Sequence, residues 1–187
     1  MPAYSLHGYV VASRDDRLAD AAGRFPDALR NDADWAYFQA GLDRARATLL
    51  GRRSHEASPN HRGRLRIVVS GSGRGIERRA DGFWWNPAQA ALEAALAAAV
   101  PEGGEIAVPG GRAVFDLISP LRFSAFHLAR AHDVAIPDGR GVFTACEAGA
   151  RMEDLLAAGG LVPGGATWLD ERARVSLTVF TRATIGA

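Results

Sequence analysis

Glu105-Ile106-Ala107-Val108-Pro109-Gly110-Gly111-Arg112-Ala113-Val114-Phe115-Asp116-Leu117-Ile118 is the stretch whose reading decides the fold. Glu105 to Val108 is a short apolar run with the character of a buried strand. Arg112 to Ile118 has helical spacing, and Gly110-Gly111 is the turn between the two. In such a turn, free backbone N–H groups and the positive end of a helix dipole face an incoming anion, and glycine lets the main chain approach a ligand closely. A plain strand-to-helix turn would have the same composition, so the rest of the chain has to decide.

Upstream the pattern repeats. Leu6 to Ala12 reads as a buried strand running into the polar turn Ser13-Arg14-Asp15-Asp16, and a loop broken by Gly23 and Pro26 follows. Asn31 is placed to cap a helix reaching about Arg46, with Asp32 and Asp34 in its first turn and Trp35, Phe38 and Leu42 at helical spacing. Thr48 to Leu50, Leu65 to Ser70 and Phe83 to Trp85 read as strands, and a helix is expected from Pro87 through the alanine-rich stretch to Ala99. Downstream, Ala125 to Ala129 and Arg174 to Arg182 read as strands and Met152 to Ala158 as a short helix. Alternating strands and helices predict a three-layer α/β domain (αβα), its sheet mostly parallel and closed by a C-terminal antiparallel hairpin.

At 187 residues the expectation is one domain over 1–187. A hydrophobic content of 48% excludes a disordered or fibrous chain. The net charge of +1, with arginines scattered among acidic residues, argues against a nucleic-acid or membrane-surface partner. One cysteine, Cys146, forms no intramolecular disulfide, five dispersed histidines offer no metal-ligand spacing, and Met1 to His7 lacks the pattern of a targeting segment. Cytoplasmic localisation without a metal is the expectation, with a homodimer left open.

Several motifs, in order, resemble the dihydrofolate reductase superfamily from about Leu6 to Phe143 and again in the last strand. They are Val10-Val11-Ala12 with Asp16 to Ala19, Asp34-Trp35-Ala36-Tyr37-Phe38, Leu50 to Glu56, Gly63-Arg64 before Ile67 to Ser70, and Val108 to Phe115. The resemblance implies an NADPH-dependent oxidoreductase acting on a small pterin or pyrimidine. It places backbone groups of Val11 and Leu18 at the nicotinamide carboxamide, and Val11 and Phe38 at the substrate. It sets Gly51, Arg52, Arg53 and Ser54 at the pyrophosphate and adenosine 2′-phosphate, and Ser70 and Gly71 on the adenosine side. A cis Gly110-Gly111 pair, continued by Arg112, Ala113 and Val114, is implied against the cofactor.

Guanidinium forks suit phosphate, which favours NADPH over NADH, although surface arginines can also merely solvate a loop. Asp34 matches the acid that holds the pterin and assists its protonation. An aspartate in the first turn of a helix is useful for capping alone, and Asp32 is a rival. Arg64, flanked by Arg62 and Arg66, matches the reader of a folate tail carboxylate, a task guanidinium performs well, or it is one of three solvated charges.

The sequence departs from the pattern at Pro26-Asp27, where the superfamily's mobile loop has proline followed by tryptophan. It departs also at Ala129, in place of a supporting threonine, at Phe143-Thr144, and in a long tail from Glu147 to Ala173 that could cover the site or an interface. Dihydrofolate or another pterin such as dihydromethanopterin, a riboflavin-pathway pyrimidine, and a catalytically silent nucleotide-binding protein on the same fold therefore all stay open as readings.

Overall fold

Tyr4–Ser13 forms the first and longest strand, β1, which lies inside the sheet with a parallel neighbour on each side. The computed structural model describes residues 3–183. The ends of the expected 1–187 domain, including Met1 and Pro2, lie outside the described residues. After β1 come β2 (Arg17–Ala19), α1 (Asp32–Arg44), β3 (Ala47–Gly51), α2 (Arg52–Ala57), β4 (Arg66–Val69), β5 (Ile76–Arg79), β6 (Gly82–Trp85) and α3 (Leu92–Ala99). The chain continues through β7 (Gly104–Val108), α4 (Arg112–Ile118), β8 (Ala125–Ala131), β9 (Arg140–Gly141), α5 (Thr144–Glu147), α6 (Met152–Ala158), β10 (Leu161–Pro163), β11 (Thr167–Asp170) and β12 (Val175–Arg182).

The large sheet has the order β10-β12-β8-β1-β7-β3-β4-β6-β5, with β11 also paired to β12, while β2 and β9 form a separate pair. Strands β8, β1, β7, β3, β4 and β6 are parallel; β12 against β8 and β5 against β6 are antiparallel. This is the expected α/β architecture.

Strand alternation assigns the helices to two layers. Leu49, Ile67, Ile106 and Phe126 point into a core shared with α3, α4 and α6. Leu50, Val68, Trp84, Tyr9 and Ala107 point the other way, toward α1 and α2. In the first layer Phe115, Phe123, Phe126 and Phe143 pack edge-on or tilted, with ring centroids 5.1 to 6.1 Å apart.

Several boundaries differ from the sequence expectation. The helix expected from Pro87 starts at Leu92, because Asn86 gathers the amides of residues 88 to 90 into a separate turn, with its side chain on Ala88 and its carbonyl on Gln89 and Ala90. Helix α1 ends at Arg44 instead of Arg46, since the Arg46 N–H donates to Glu105 in β7 and joins the sheet (2.8 Å). Arg17–Ala19 is a strand entered from a bend at Asp16, and Asp16 itself is buried, ion-paired with Arg130 (2.7 Å) and accepting from the Met152 amide (3.2 Å). The tail from Glu147 to Ala173 adds α6, β10 and β11 to the sheet edge.

Gly41, in the last turn of α1, allows the helix to meet β1. A Cβ there would lie 2.6 Å from the Tyr9 ring, which is stacked on His127 at 4.2 Å and cannot simply withdraw. Gly41→Ala gains up to about 1 kcal/mol of helix propensity, but forcing the methyl into a filled contact costs about 1–3 kcal/mol. The expected outcome is a net loss in chemical denaturation. Stability equal to or above wild type would show that the α1–β1 contact has slack.

Candidate active site

From β1 the chain moves to one side through β3, β4 and β6, then returns to fill the gap with β7 and crosses to β8. That reversal leaves a crevice beyond the strand ends, where ligands collect in open α/β sheets. A cavity of about 480 Å³ occupies it. Val10 and Val11 of β1, Leu18 of β2, Asp34, Tyr37 and Phe38 of α1, Pro109 and Gly111 after β7, His127 and Ala129 of β8 and Leu177 of β12 line the walls. Phe25 and Trp35, 48% and 60% exposed, stand at its mouth.

Asp34 is held by the start of α1. Asn31 caps this helix as expected, its Oδ1 accepting from the amides of Ala33 (3.1 Å) and Asp34 (3.0 Å), and its own Nδ2 donates to Asp170 of β11 (2.9 Å). The Asp34 side chain meets apolar wall, and burial alone raises its carboxyl to about 6. Asp32 also lines the cavity but is exposed. The structure thus separates the two rivals by environment.

Behind Asp34 lies a polar layer that the sequence reading did not identify. The Tyr37 hydroxyl is 2.6 Å from His127 Nδ1, and His127 Nε2 is 3.4 Å from His7 Nδ1. His7 Nδ1 is 3.6 Å from Glu105, and Tyr9 donates to the same carboxylate at 3.4 Å while lying parallel to the His127 ring. Burial, then the charges of His7 and Arg44, lower His127 to about 4; burial and Glu105 raise Tyr9 to about 12. Both groups are neutral across the physiological range. Two signals in the sequence mark this layer: His127 falls between Ala125 and Ala129 in an alternating strand, and Tyr37 is three residues after Asp34 on α1.

Of the positions expected to hold substrate and cofactor, Val11, Leu18, Asp34, Phe38 and Gly111 line this one cavity. Gly51 ends β3 and Arg52, Arg53 and Ser54 open α2, while Ser70 and Gly71 follow β4; Gly51 pairs with Val69, so the two sets are neighbours on the same edge. Gly110, Arg112, Ala113 and Val114 continue from β7, and a Cβ on Gly51 would reach Val114 at 3.4 Å. Gly110-Gly111 is cis. A Cβ on Gly110 would lie 2.4 Å from Phe115, whereas one on Gly111 would meet nothing within 4 Å, so the backbone there faces open space. Arg52 and Arg53 are exposed at the start of α2.

Arg64 lies outside the cavity lining, and its guanidinium donates to Asp43 (2.6 and 2.8 Å) and the Gln39 side chain (2.7 Å). No residue between 147 and 173 lines the cavity, so the tail does not cover it. No helix is long and apolar enough to cross a membrane among the described residues.

No protein-family model matches the chain, and no curated protein does. Solved structures match over nearly its whole length. One is a dihydrofolate reductase from Enterococcus faecalis complexed with NADP(H) and RAB-propyl, at TM-score 0.66 and 16% identity over 96% of this chain and 97% of that one. Another is the deaminase/5-amino-6-(5-phosphoribosylamino)uracil reductase of Thermotoga maritima, at 0.64 and 13% over 96% of this chain and 57% of that one. This chain has the dihydrofolate reductase fold.

Within the dihydrofolate reductase fold, Asp34 is held against its own ionisation, and that makes it testable without substrate. Its carboxyl rises from 3.8 to about 6 on folding, so between those values the native state holds a proton that the unfolded chain has lost. The associated stability is complete below about pH 4 and disappears as pH rises through 6, an effect on the order of 1–3 kcal/mol. Asp34→Asn is therefore expected to melt higher than wild type at pH 8 and to lose that advantage at pH 4. Asp32→Asn should show no gain at either pH. Identical melting of Asp34→Asn and wild type at pH 8 would count against the desolvated carboxyl.

Proposed function

We propose that this protein is an NADPH-dependent reductase that transfers a hydride to a small conjugated nitrogen heterocycle of the pterin or pyrimidine class. The observation that carries the reading is the desolvated Asp34 carboxyl, set in an apolar cavity that also opens onto the Gly111 backbone. A carboxylate in that position accepts paired N–H bonds from an amino-pyrimidine edge, and with a value near 6 it can also lend a proton. Val11, Phe38 and Leu18 then confine the ring, and Gly111 leaves space for a flat partner beside it. NADPH, when bound, supplies the hydride. Arg52 and Arg53, exposed at the start of α2, would read its 2′-phosphate.

A second reading concerns substrate size. Because Arg64 is engaged by Asp43 and Gln39, a folate tail gains no carboxylate partner there, which favours a tail-less pterin or the pyrimidine of riboflavin synthesis over dihydrofolate. NADPH absorbance with dihydrofolate, dihydrobiopterin, dihydromethanopterin and that pyrimidine tests both readings together. Turnover of a tail-less compound at least as fast as dihydrofolate is expected. NADPH that stays unoxidised with every one of them would leave only a silent binding protein.

Arg52→Ala or Arg53→Ala should weaken NADPH by roughly 10- to 100-fold, the loss of one charge-assisted contact, and change NADH little. Titration calorimetry with both nucleotides checks this, and equal losses would remove the phosphate-reading role. In single-turnover hydride transfer, Asp34→Asn should lose about 10²–10⁴-fold in rate, together with the pH limb near 6, while still binding NADPH. An unchanged rate would reduce Asp34 to a helix-start residue.

A further inference from the structure

Adding hydride to a C=N bond consumes a proton as well: the carbon gains the hydride and the nitrogen must gain H⁺. That proton has to come from solvent. Tyr37 and His127 line the cavity, while His7 and Glu105, outside the lining, keep 21% and 25% of their side-chain surface exposed. Hydrogen-bond distances link the inner pair to the outer one.

We propose that Tyr37, His127 and His7 form a proton path that carries H⁺ from solvent beside Glu105 to the cavity, with Tyr37 as a second donor to the bound ligand beside Asp34. Its catalytic purpose rests on the reductase reading above. In the resting arrangement His7 Nδ1–H faces His127 Nε2 and His127 Nδ1–H faces the Tyr37 oxygen, which leaves the hydroxyl proton for the cavity. Transfer then moves one proton at each station. The ligand nitrogen takes the Tyr37 proton, Tyr37 takes that of His127 Nδ1, His127 Nε2 takes that of His7 Nδ1, and solvent protonates His7 Nε2. Each residue ends neutral with its hydrogen-bond direction reversed.

The surroundings suit such a shift. Tyr9 lies parallel to the His127 ring from β1, and Val179 opposes His127 from β12. The charged groups facing the chain are Arg44 of α1 and Glu105 of β7; burial lowers His7, with Glu105 opposing it and Arg44 adding to it, and burial, then His7 and Arg44, lower His127. Burial holds the Tyr37 hydroxyl above its ordinary value, so it passes a proton without becoming a lasting phenolate. A purely structural cluster would explain the contacts but not why the chain runs from the cavity to the surface.

The path is tested first in the ligand-free protein, by measuring exchange of the His127 ring N–H with water by ¹⁵N NMR. His7→Phe should slow it, exchange then proceeding only through Tyr37 and the cavity. His7→Gln, which retains polarity beside Glu105 but cannot shuttle, should do the same and serves if the Phe variant misfolds. Exchange as fast as wild type in the folded variants overturns the path. With a substrate that turns over, Tyr37→Phe should slow single-turnover hydride transfer by about 10²-fold or more and alter its solvent isotope effect, with NADPH binding unchanged. A wild-type rate and isotope effect would overturn the donor role. Slowed exchange in the His7 variants with no substrate oxidising NADPH supports the path and sinks the reductase reading instead.

Discussion

Because β1 is buried on both faces and paired on both edges, each of its residues is committed to a layer by parity alone. Leu6, Gly8 and Ala12 serve the apolar side with α3, α4 and α6, whereas His7, Tyr9 and Val11 serve the side of α1. A slip of one residue would drive two polar rings into the phenylalanine cluster and expose the apolar set to Asp34. Parallel bonding to both β7 and β8 fixes that register from two directions. Cavity, acid and polar layer all inherit their geometry from it.

Asp34 sits in two fields of opposite sense. The first turn of α1 favours a negative charge there, while the apolar cavity wall disfavours it. Desolvation prevails, as the upward displacement of the carboxyl shows. The helix start therefore moderates the acid without keeping it ionised. Asn31 binds this arrangement to the C-terminal hairpin through Asp170, so the tail touches the site through a cap and not by covering it.

The elements legible in the sequence were those whose pattern is self-contained: Arg112–Ile118 and Met152–Ala158 as helices, the buried runs around β1, β3, β4 and β7, and the glycine pair. Val11, Leu18, Asp34, Phe38 and Gly111 followed from motif order, and the structure brings them to one cavity. What was not legible depends on contacts distant in sequence. β5 carries a single apolar residue and exists only because β6 offers an edge; Asn86 interrupts the alanine run through its own hydrogen bonds; Asp43 claims Arg64 across the fold. His127 and Tyr37 were unremarkable singly, and only their 2.6 Å approach gives them meaning.

The outer edge of β12 is covered by one stretch of chain, with Leu161–Pro163 and Thr167–Asp170 laid end to end and separated by a break containing Gly164 and Gly165. At the opposite end of the sheet, β5 presents Glu77, Arg78 and Arg79. Neither margin offers a long, flat, uncharged row of amides and carbonyls of the kind that recruits a strand from another molecule. A sheet of this width, with a core dominated by pairings far apart in sequence, spends time partly assembled while folding. A proline-bearing, interrupted border on one side and a charged one on the other favour completion within the same chain over growth into aggregates.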